Sequence, residues 1–502
     1  MSNTFFLHIG KQKLQDKATL VGNFFDENIY IEEYLFCTFI VASSSFIKVN
    51  LASSTFYCIG TPTNLKSLAK RHLMGDIKDE ADIFSALLLK GKWTLINEFK
   101  GTFACLEINT ETSAVSVFIG NSGLMQAYCY QNMTEAFIFS ELKLLKNTNL
   151  FNRVMLPIQN YQYDYFKKVQ HDFCFLQQVN RLIPGYKLII TQTTEMLEIT
   201  KFPMRPVQSN AIEVTYKDAM LKLEELLATN IRDACCTNNV AVPLSGGVDS
   251  AMVSSLLVNN NIKADTYSVG TAYGNEYKEA AYTAQYLGTQ HHEVYIRDED
   301  FIEAFSSAVW HNEICDPLYA EGYVGFYAVL KNMANEITQL LTGYGADLIL
   351  GDHSNTADKT QINNVSAYWC QRAAWTGELS PYLANYFNKQ IYHPFWEIDL
   401  INFCISLPFQ YKFKQHSVKA IFRDLAETRS YLSAEIAWRN KTPFTKGASL
   451  DKLFSAYLKK EDSNYKSKSF FLYYLFEQLF IFDIPLQIID FDLIKYKAIN
   501  YE

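Results

Sequence analysis

The sequence lacks the charge, the apolar length and the cysteine spacing that mark several common protein classes. Basic residues do not dominate: 45 Lys and Arg stand against 53 Asp and Glu, for a net charge of −8. That leaves no electrostatic reason to expect a nucleic acid partner. The most apolar stretch, residues 470–482, is interrupted by Glu477 and Gln478, is too short for a membrane span, and reads as a core helix. Met1-Ser2-Asn3-Thr4 carries neither the basic region nor the apolar run of a secretory signal. The ten cysteines follow no metal-ligand spacing, none precedes Cys37, and the adjacent Cys235 and Cys236 cannot easily pair with each other. A reduced, cytoplasmic chain with no membrane partner is the expectation. Internal repeats are missing too. What is present is bulk and aromatic content: 502 residues, 49% apolar, with 32 Tyr and 36 Phe. That length predicts two or three domains of a soluble globular protein.

The two halves differ in pattern. Residues 101–108 and 116–119 read as strands joined by a polar turn, and 136–140 as another strand. Residues 82–89 look helical, and 181–186 form a turn before a strand at 187–191. Pro203, Pro206 and Ser209 break both periodicities, which places a boundary near 203–212 and domains at 1–208 and 209–502. Beyond it strands alternate with helices: 239–244, 264–269, 292–296 and 338–342 against 251–258 and 276–287. Such alternation predicts a parallel sheet with helices on both faces. Past residue 365 the pattern is mostly helical, and 459–464 reads as a solvated loop.

The chemistry concentrates in Ser245-Gly246-Gly247-Val248-Asp249-Ser250, between an apolar strand and an apolar helix. Small residues at that junction turn backbone N–H groups toward an anion, and the helix N-terminus adds positive partial charge. The two serines add donors, and Asp249 can hold a divalent cation that bridges phosphates. The expected ligand is ATP. Asp347 follows the fourth strand and falls at the same sheet edge, so Asp249 and Asp347 are the candidate Mg2+ ligands.

The Ser245-to-Ser250 string resembles the pyrophosphate loop of N-type ATP pyrophosphatases. With Ser268-Val269-Gly270-Thr271, Leu287-Gly288-Thr289, His291-His292 and His393-Pro394-Phe395 in order, nearly the whole chain resembles the asparagine synthetase superfamily. The fold implied is an α+β Ntn-hydrolase-like sandwich followed by an α/β doubly wound, ATP pyrophosphatase-like domain with a helical extension. Glutamine-hydrolysing members use an N-terminal cysteine. Position 2 here is Ser2, so residues 1–208 are expected to be a glutaminase-like scaffold without that nucleophile. Asparagine synthetases carry glutamate where this chain has Tyr344. The tyrosine, with Trp375-Thr376-Gly377-Glu378, Trp438-Arg439-Asn440-Lys441, Asn312-Glu313-Ile314 and Trp396, resembles the β-lactam and carbapenam synthetase branch.

That resemblance implies roles. Tyr344 and Glu378 would form an acid–base dyad, and Lys441 would stabilise an oxyanion, with Lys446 a nearby competitor. Ser245, Gly246, Gly247, Asp249, Ser250, Ser268, Gly343 and Lys419 would contact the nucleotide. Asp316 and Glu321 would either face the substrate or be surface acids. The expected activity is a ligase of β-lactam antibiotic biosynthesis that adenylates a carboxylate and lets an internal amine attack it, on a carboxymethylproline-like β-amino acid. A peptide macrolactam synthetase of the lasso type and a non-catalytic scaffold or nucleotide-binding protein are the alternatives. A homo-oligomer is left open.

Overall fold

The computed structural model describes residues 3–24, 29–43, 46–73, 77, 79–157, 174–193, 196–351, 358–373, 376–414, 417–440, 442, 444–459 and 465–500. Among the described residues the N-terminal half builds twelve strands: β1 (Asn3–Gly10), β2 (Ile29–Glu33), β3 (Cys37–Ser43), β4 (Phe46–Leu51), β5 (Ser54–Pro62), β6 (Gly101–Asn109), β7 (Ala114–Ile119), β8 (Tyr128–Gln131), β9 (Glu135–Phe139), β10 (Val179–Arg181), β11 (Tyr186–Gln192) and β12 (Leu197–Pro203). They form two six-stranded sheets, ordered β10-β8-β9-β1-β3-β2 and β12-β11-β7-β6-β5-β4. Strand alternation sorts the side chains between layers. Phe5, Leu7 and Ile9 of β1 point into the space between the sheets with Tyr57, Ile59, Leu106 and Val117. Phe56 and Cys58 point the other way, onto helices α1 (Leu65–His72) and α2 (Glu80–Gly91).

The turn expected at 181–186 begins one residue later, because Arg181 pairs with Tyr128 in the ladder between β10 and β8. Gly185 completes the turn at φ +77°, where a Cβ would lie 2.5 Å from Arg205 O.

The C-terminal half begins with α3 (Tyr216–Ala234) after the predicted boundary. Its sheet contains β13 (Asn239–Pro243), β14 (Lys263–Thr271), β15 (Gly274–Asn275), β16 (Gln290–Ile296), β17 (Gln339–Leu341) and β18 (Gln390–Tyr392). β15 pairs antiparallel with β14 at the rim; the other strands run parallel in the order β16-β14-β13-β17-β18. Both faces are covered. Val240 and Val242 pack with α3, α4 (Val248–Asn259) and the later helices α9 (Ile398–Ser406) and α10 (Ala420–Thr428). Ala241 faces the opposite core, with α6 (Phe301–Asn312) and α7 (Pro317–Asn332). Between α4 and α6 lies α5 (Tyr277–Leu287), and α8 (Ile362–Ala373) precedes α9. The strand order reverses between β13 and β17, which opens a crevice at their carboxyl ends.

The stretch expected as a core helix is α12 (Tyr465–Phe480), after α11 (Leu450–Leu458); Phe482 lies past its end and is exposed. Of the expected solvated loop, residues 460–464 lie outside the described residues. No helix among the described residues is long and apolar enough to cross a membrane.

Candidate active site

The two loops that leave β13 and β17 meet in the crevice. In the first, Gly246 adopts φ +72°, and a Cβ there would lie 2.6 Å from Glu279 Cβ and 2.9 Å from its backbone carbon. Glycine is therefore required both by conformation and by space. Ser250 Oγ accepts from Ser245 N at 3.3 Å, which closes the loop on itself. Gly247 caps α4 without a side-chain acceptor, so the first-turn N–H groups of the helix stay available to an anion. Arg439 Nη1 donates to Gly246 O at 3.0 Å and to Glu279 O at 3.2 Å, tying the loop to a distant segment.

The second loop runs from Thr342 to Asp347. A Cβ on Gly343 would stand 2.6 Å from Ser250 N, so the two loops touch backbone to backbone. Gly345, at φ +95°, turns the chain against the Trp396 ring. Tyr344 N donates to Thr342 Oγ1, which lies 2.7 Å from His393 Nδ1. Burial lowers His393 to about 3, so the ring is neutral.

Lys419 joins the loops electrostatically. It is fully buried, holds the left-handed conformation at φ +60°, and precedes α10. Its ammonium lies 2.8 and 2.6 Å from the two oxygens of Asp249 and also pairs with Asp347. Both sequence-predicted metal ligands thus converge on one cation. A set of hard carboxylate oxygens beside an anion cradle also fits magnesium.

A cavity of about 380 Å³ extends from these loops, bounded by Asp249, Tyr344, Asp347 and Glu378 on one side and by Tyr323 and Phe326 of α7 on another. Tyr344 and Glu378 both line it and each shifts the other's acidity, while the Tyr344 hydroxyl and both Glu378 carboxylate oxygens are buried without a hydrogen-bond partner among the described residues. Burial pushes the Tyr344 phenol well up and the Glu378 charge pushes it further. Burial likewise holds the Glu378 carboxyl well above the usual carboxylate range, while the Tyr344 hydroxyl pulls it back and Asp316 raises it. At neutral pH Tyr344 therefore keeps its proton, and the Glu378 carboxyl is biased toward its protonated form. The rings of His393 and Trp396 stand edge-on to Tyr344, at 5.4 and 5.6 Å.

Most of the candidate residues gather here: Ser245, Gly247, Asp249, Ser250, Gly343, Tyr344, Asp347 and Glu378 line the cavity, and Gly246 and Lys419 brace it. Ser268 does not line it; its hydroxyl sits in the sheet 3.1 Å from His291 Nε2, because residue alternation along β14 turns it to that neighbour. Asp316 and Glu321 are neither surface acids nor cavity lining. Both are buried, Asp316 beside Arg372 at 3.5 Å and Glu321 against Lys468. Helix periodicity turns Tyr319, Gly322, Tyr323 and Phe326 toward the cavity and Glu321 away. Lys446 is exposed and paired with Asp451. Lys441, Trp375 and Ser2 lie outside the described residues.

Two arginines escape the sequence reading. Arg439 lies within a string quoted above, yet without a role. Arg423, buried on α10, donates to Val418 O, Ala437 O and Arg439 O at 2.9, 2.6 and 3.0 Å. A lone arginine amid Ala420, Ile421, Phe422 and Leu425 is the signal that could have flagged it.

A parallel sheet with helices on both faces and a glycine-rich loop at its switch point defines an α/β protein. More narrowly, the chain belongs to the asparagine synthase family, whose model matches residues 222–393 and 390–480. It is 29% identical over 217 residues to the carboxyethyl-arginine beta-lactam-synthase of Streptomyces clavuligerus, covering 43% of this chain and 42% of that protein. It is 26% identical over 277 residues to asparagine synthetase [glutamine-hydrolyzing] 1 of Arabidopsis thaliana, covering 49% and 44%. The chain thus spans less than half the length of these relatives. Among solved structures, the glutamine phosphoribosylpyrophosphate amidotransferase from B. subtilis aligns over 58% of this chain and 65% of its own, with 11% identity and a TM-score of 0.27, too slight a likeness to bear on the fold.

Proposed function

We propose that the chain is an ATP-dependent ligase that closes an amide within one molecule, releasing AMP and pyrophosphate. The observation that carries this reading is that Tyr344 and Glu378 line the same cavity as Ser245, Gly247 and Ser250 of the glycine loop. A phosphate cradle alone would serve any nucleotide binder; a buried acid–base pair lining the same cavity supplies what amine attack needs.

In this reading the N–H groups of the Gly246–Gly247 loop and of α4 hold the triphosphate. Asp249 and Asp347 would hold magnesium, which neutralises phosphate charge. The substrate carboxylate attacks the α-phosphorus, forming an acyl-adenylate as pyrophosphate leaves. The amine of the same molecule then attacks the acyl carbon; a C–N bond forms, the C–O bond to AMP breaks, and the amine proton passes through Tyr344 Oη to Glu378. Holding both groups in one cavity makes the second step unimolecular. Glu378 must be ionised to receive a proton. Burial opposes that. Resemblance alone assigns the oxyanion to Lys441.

We read residues 1–208 as a glutaminase-like, Ntn-type sandwich serving as a scaffold, and 209–502 as the ATP pyrophosphatase-like synthetase domain with its helical extension. The tyrosine at position 344 and the Thr376-Gly377-Glu378 string favour β-lactam closure over macrolactam formation by resemblance. Leu318, Leu348 and Phe444 give the cavity an apolar wall, suited to a carboxymethylproline-like ring. A cytoplasmic place in β-lactam biosynthesis follows from the same reading. Incubation with ATP, magnesium and carboxymethylproline, read by mass analysis, should show loss of one water from the substrate. Absence of amino-acid-dependent ATP–pyrophosphate exchange would leave only a nucleotide-binding scaffold.

A further inference from the structure

Glu378 owes its place to the other half of the molecule. It follows Gly377, which holds φ +82°, and a Cβ on Gly377 would meet Asn312 O at 2.7 Å, Glu313 O at 3.1 Å and Gln126 Nε2 at 3.2 Å. The turn before the dyad acid is thus seated on the end of α6 and on an amide from the N-terminal sandwich. Gln126 Nε2 also donates to Asn312 O at 3.2 Å. Gln126 Oε1 accepts from Arg181 Nη1 at 2.7 Å and lies 2.9 Å from the Tyr128 hydroxyl. That hydroxyl is 2.7 Å from Glu313 Oε2.

The contacts continue to Glu378 along two short paths. Cys315 N donates to Thr376 O at 3.2 Å, and Arg181 Nη2 reaches toward Glu313 O and Cys315 Sγ at 3.5 and 3.7 Å. The hydroxyl of Tyr323 donates to Glu378 O. Gln126, Tyr128, Arg181, Asn312 and Glu313 are all at most 5% exposed. Polar groups in such a setting are costly unless they are satisfied; the Gln126 amide and the Tyr128 hydroxyl are bonded here, while Arg181 Nε and Asn312 Nδ2 have no hydrogen-bond partner among the described residues.

We propose that Gln126, Tyr128 and Arg181 are positioning residues of the N-terminal half that hold the Gly377 turn and so aim Glu378 at Tyr344. This rests on the reading of Glu378 as the dyad acid. It gives the sandwich a part in the second chemical step, beyond that of a packing partner.

Gln126→Glu tests it. The variant keeps the acceptor for Arg181 and Tyr128 and removes the N–H that reaches Asn312 O. Amino-acid-dependent ATP–pyrophosphate exchange should stay near the wild-type rate. Ring closure should fall about 100-fold, the cost of an ångström of misplacement, and its pH profile should shift. A second readout needs no turnover: the infrared carbonyl band of protonated Glu378, assigned by its disappearance in Glu378→Gln, should move in frequency in Gln126→Glu. If Gln126→Glu does not fold, Arg181→Lys carries the same readouts. An unmoved band with wild-type ring closure would overturn the proposal, as would an equal fall in both partial reactions. A wild-type protein without exchange would sink the ligase reading alone, since the band still reports whether Gln126 positions Glu378.

Discussion

Two side chains at the residue scale carry opposite kinds of burden. Tyr344 is a neutral group whose proton is held by burial and by Glu378. Its replacement by Phe removes one oxygen and little packing, so ATP–pyrophosphate exchange should persist while ring closure drops about 100- to 10,000-fold, the range of general acid–base catalysis. Quenched-flow measurement of AMP and product separates the two steps. Lys419 instead carries a charge that two carboxylates require. Lys419→Met should abolish exchange and lower the melting temperature. Asp249 and Asp347 keep some access to solvent, so the loss should fall below the about 3–5 kcal/mol of a fully buried pair. Lys446→Ala should leave turnover within about twofold of wild type, as befits an exposed lysine with one surface partner.

The site is a contact between two loops at the scale of elements, and Gly343 sets their distance. Its Cβ space is filled by Ser250 N and Asp249 backbone carbon, at 2.6 and 2.9 Å, neither of which can swing aside as a side-chain end would. Gly343→Ala should force β13 and β17 loops apart and cost about 1–3 kcal/mol, with loss of nucleotide turnover. Chemical denaturation and the exchange assay check the two parts. A variant with unchanged stability and full exchange would show that the loops tolerate separation.

One apolar core crosses the boundary between the halves at the scale of the whole molecule. Phe6, Ala42, Phe139 and Leu144 pack in the same cluster as Phe305, Val309, Phe471 and Phe476. Residues 209–502 made alone should therefore bind hydrophobic dye and aggregate. A monodisperse, cooperatively melting fragment would contradict this. A second whole-molecule tie links the two sheets of the sandwich at Glu32, which lies near the hydroxyls of Tyr30, Tyr34 and Tyr57 and the ammonium of Lys48. Burial alone would raise this carboxyl, but Lys48 and the tyrosines outweigh it and bring it down to about 2. Its contribution is present above the usual carboxylate range and is lost as pH falls toward 2. Partial exposure limits it to about 1 kcal/mol. Glu32→Gln should flatten the acid limb of the stability curve between pH 5 and 2, measured by denaturation at each pH.

Ser245 to Ser250 were legible from the sequence because a strand, a run of small residues and a helix are local: neighbouring residues supply every requirement of an anion loop. The alternation after residue 239 was legible for the same reason, since strand and helix periods are written along the chain. Tertiary structure alone decided that Lys419 sits between Asp249 and Asp347, that Ser268 belongs to the sheet and not to the cavity, that Asp316 and Glu321 are buried, and that Gln126 supports the turn before Glu378. Those outcomes depend on which distant surfaces exclude water from one another. Burial sets both the energy of a charge and its partner, and no short stretch of residues encodes it.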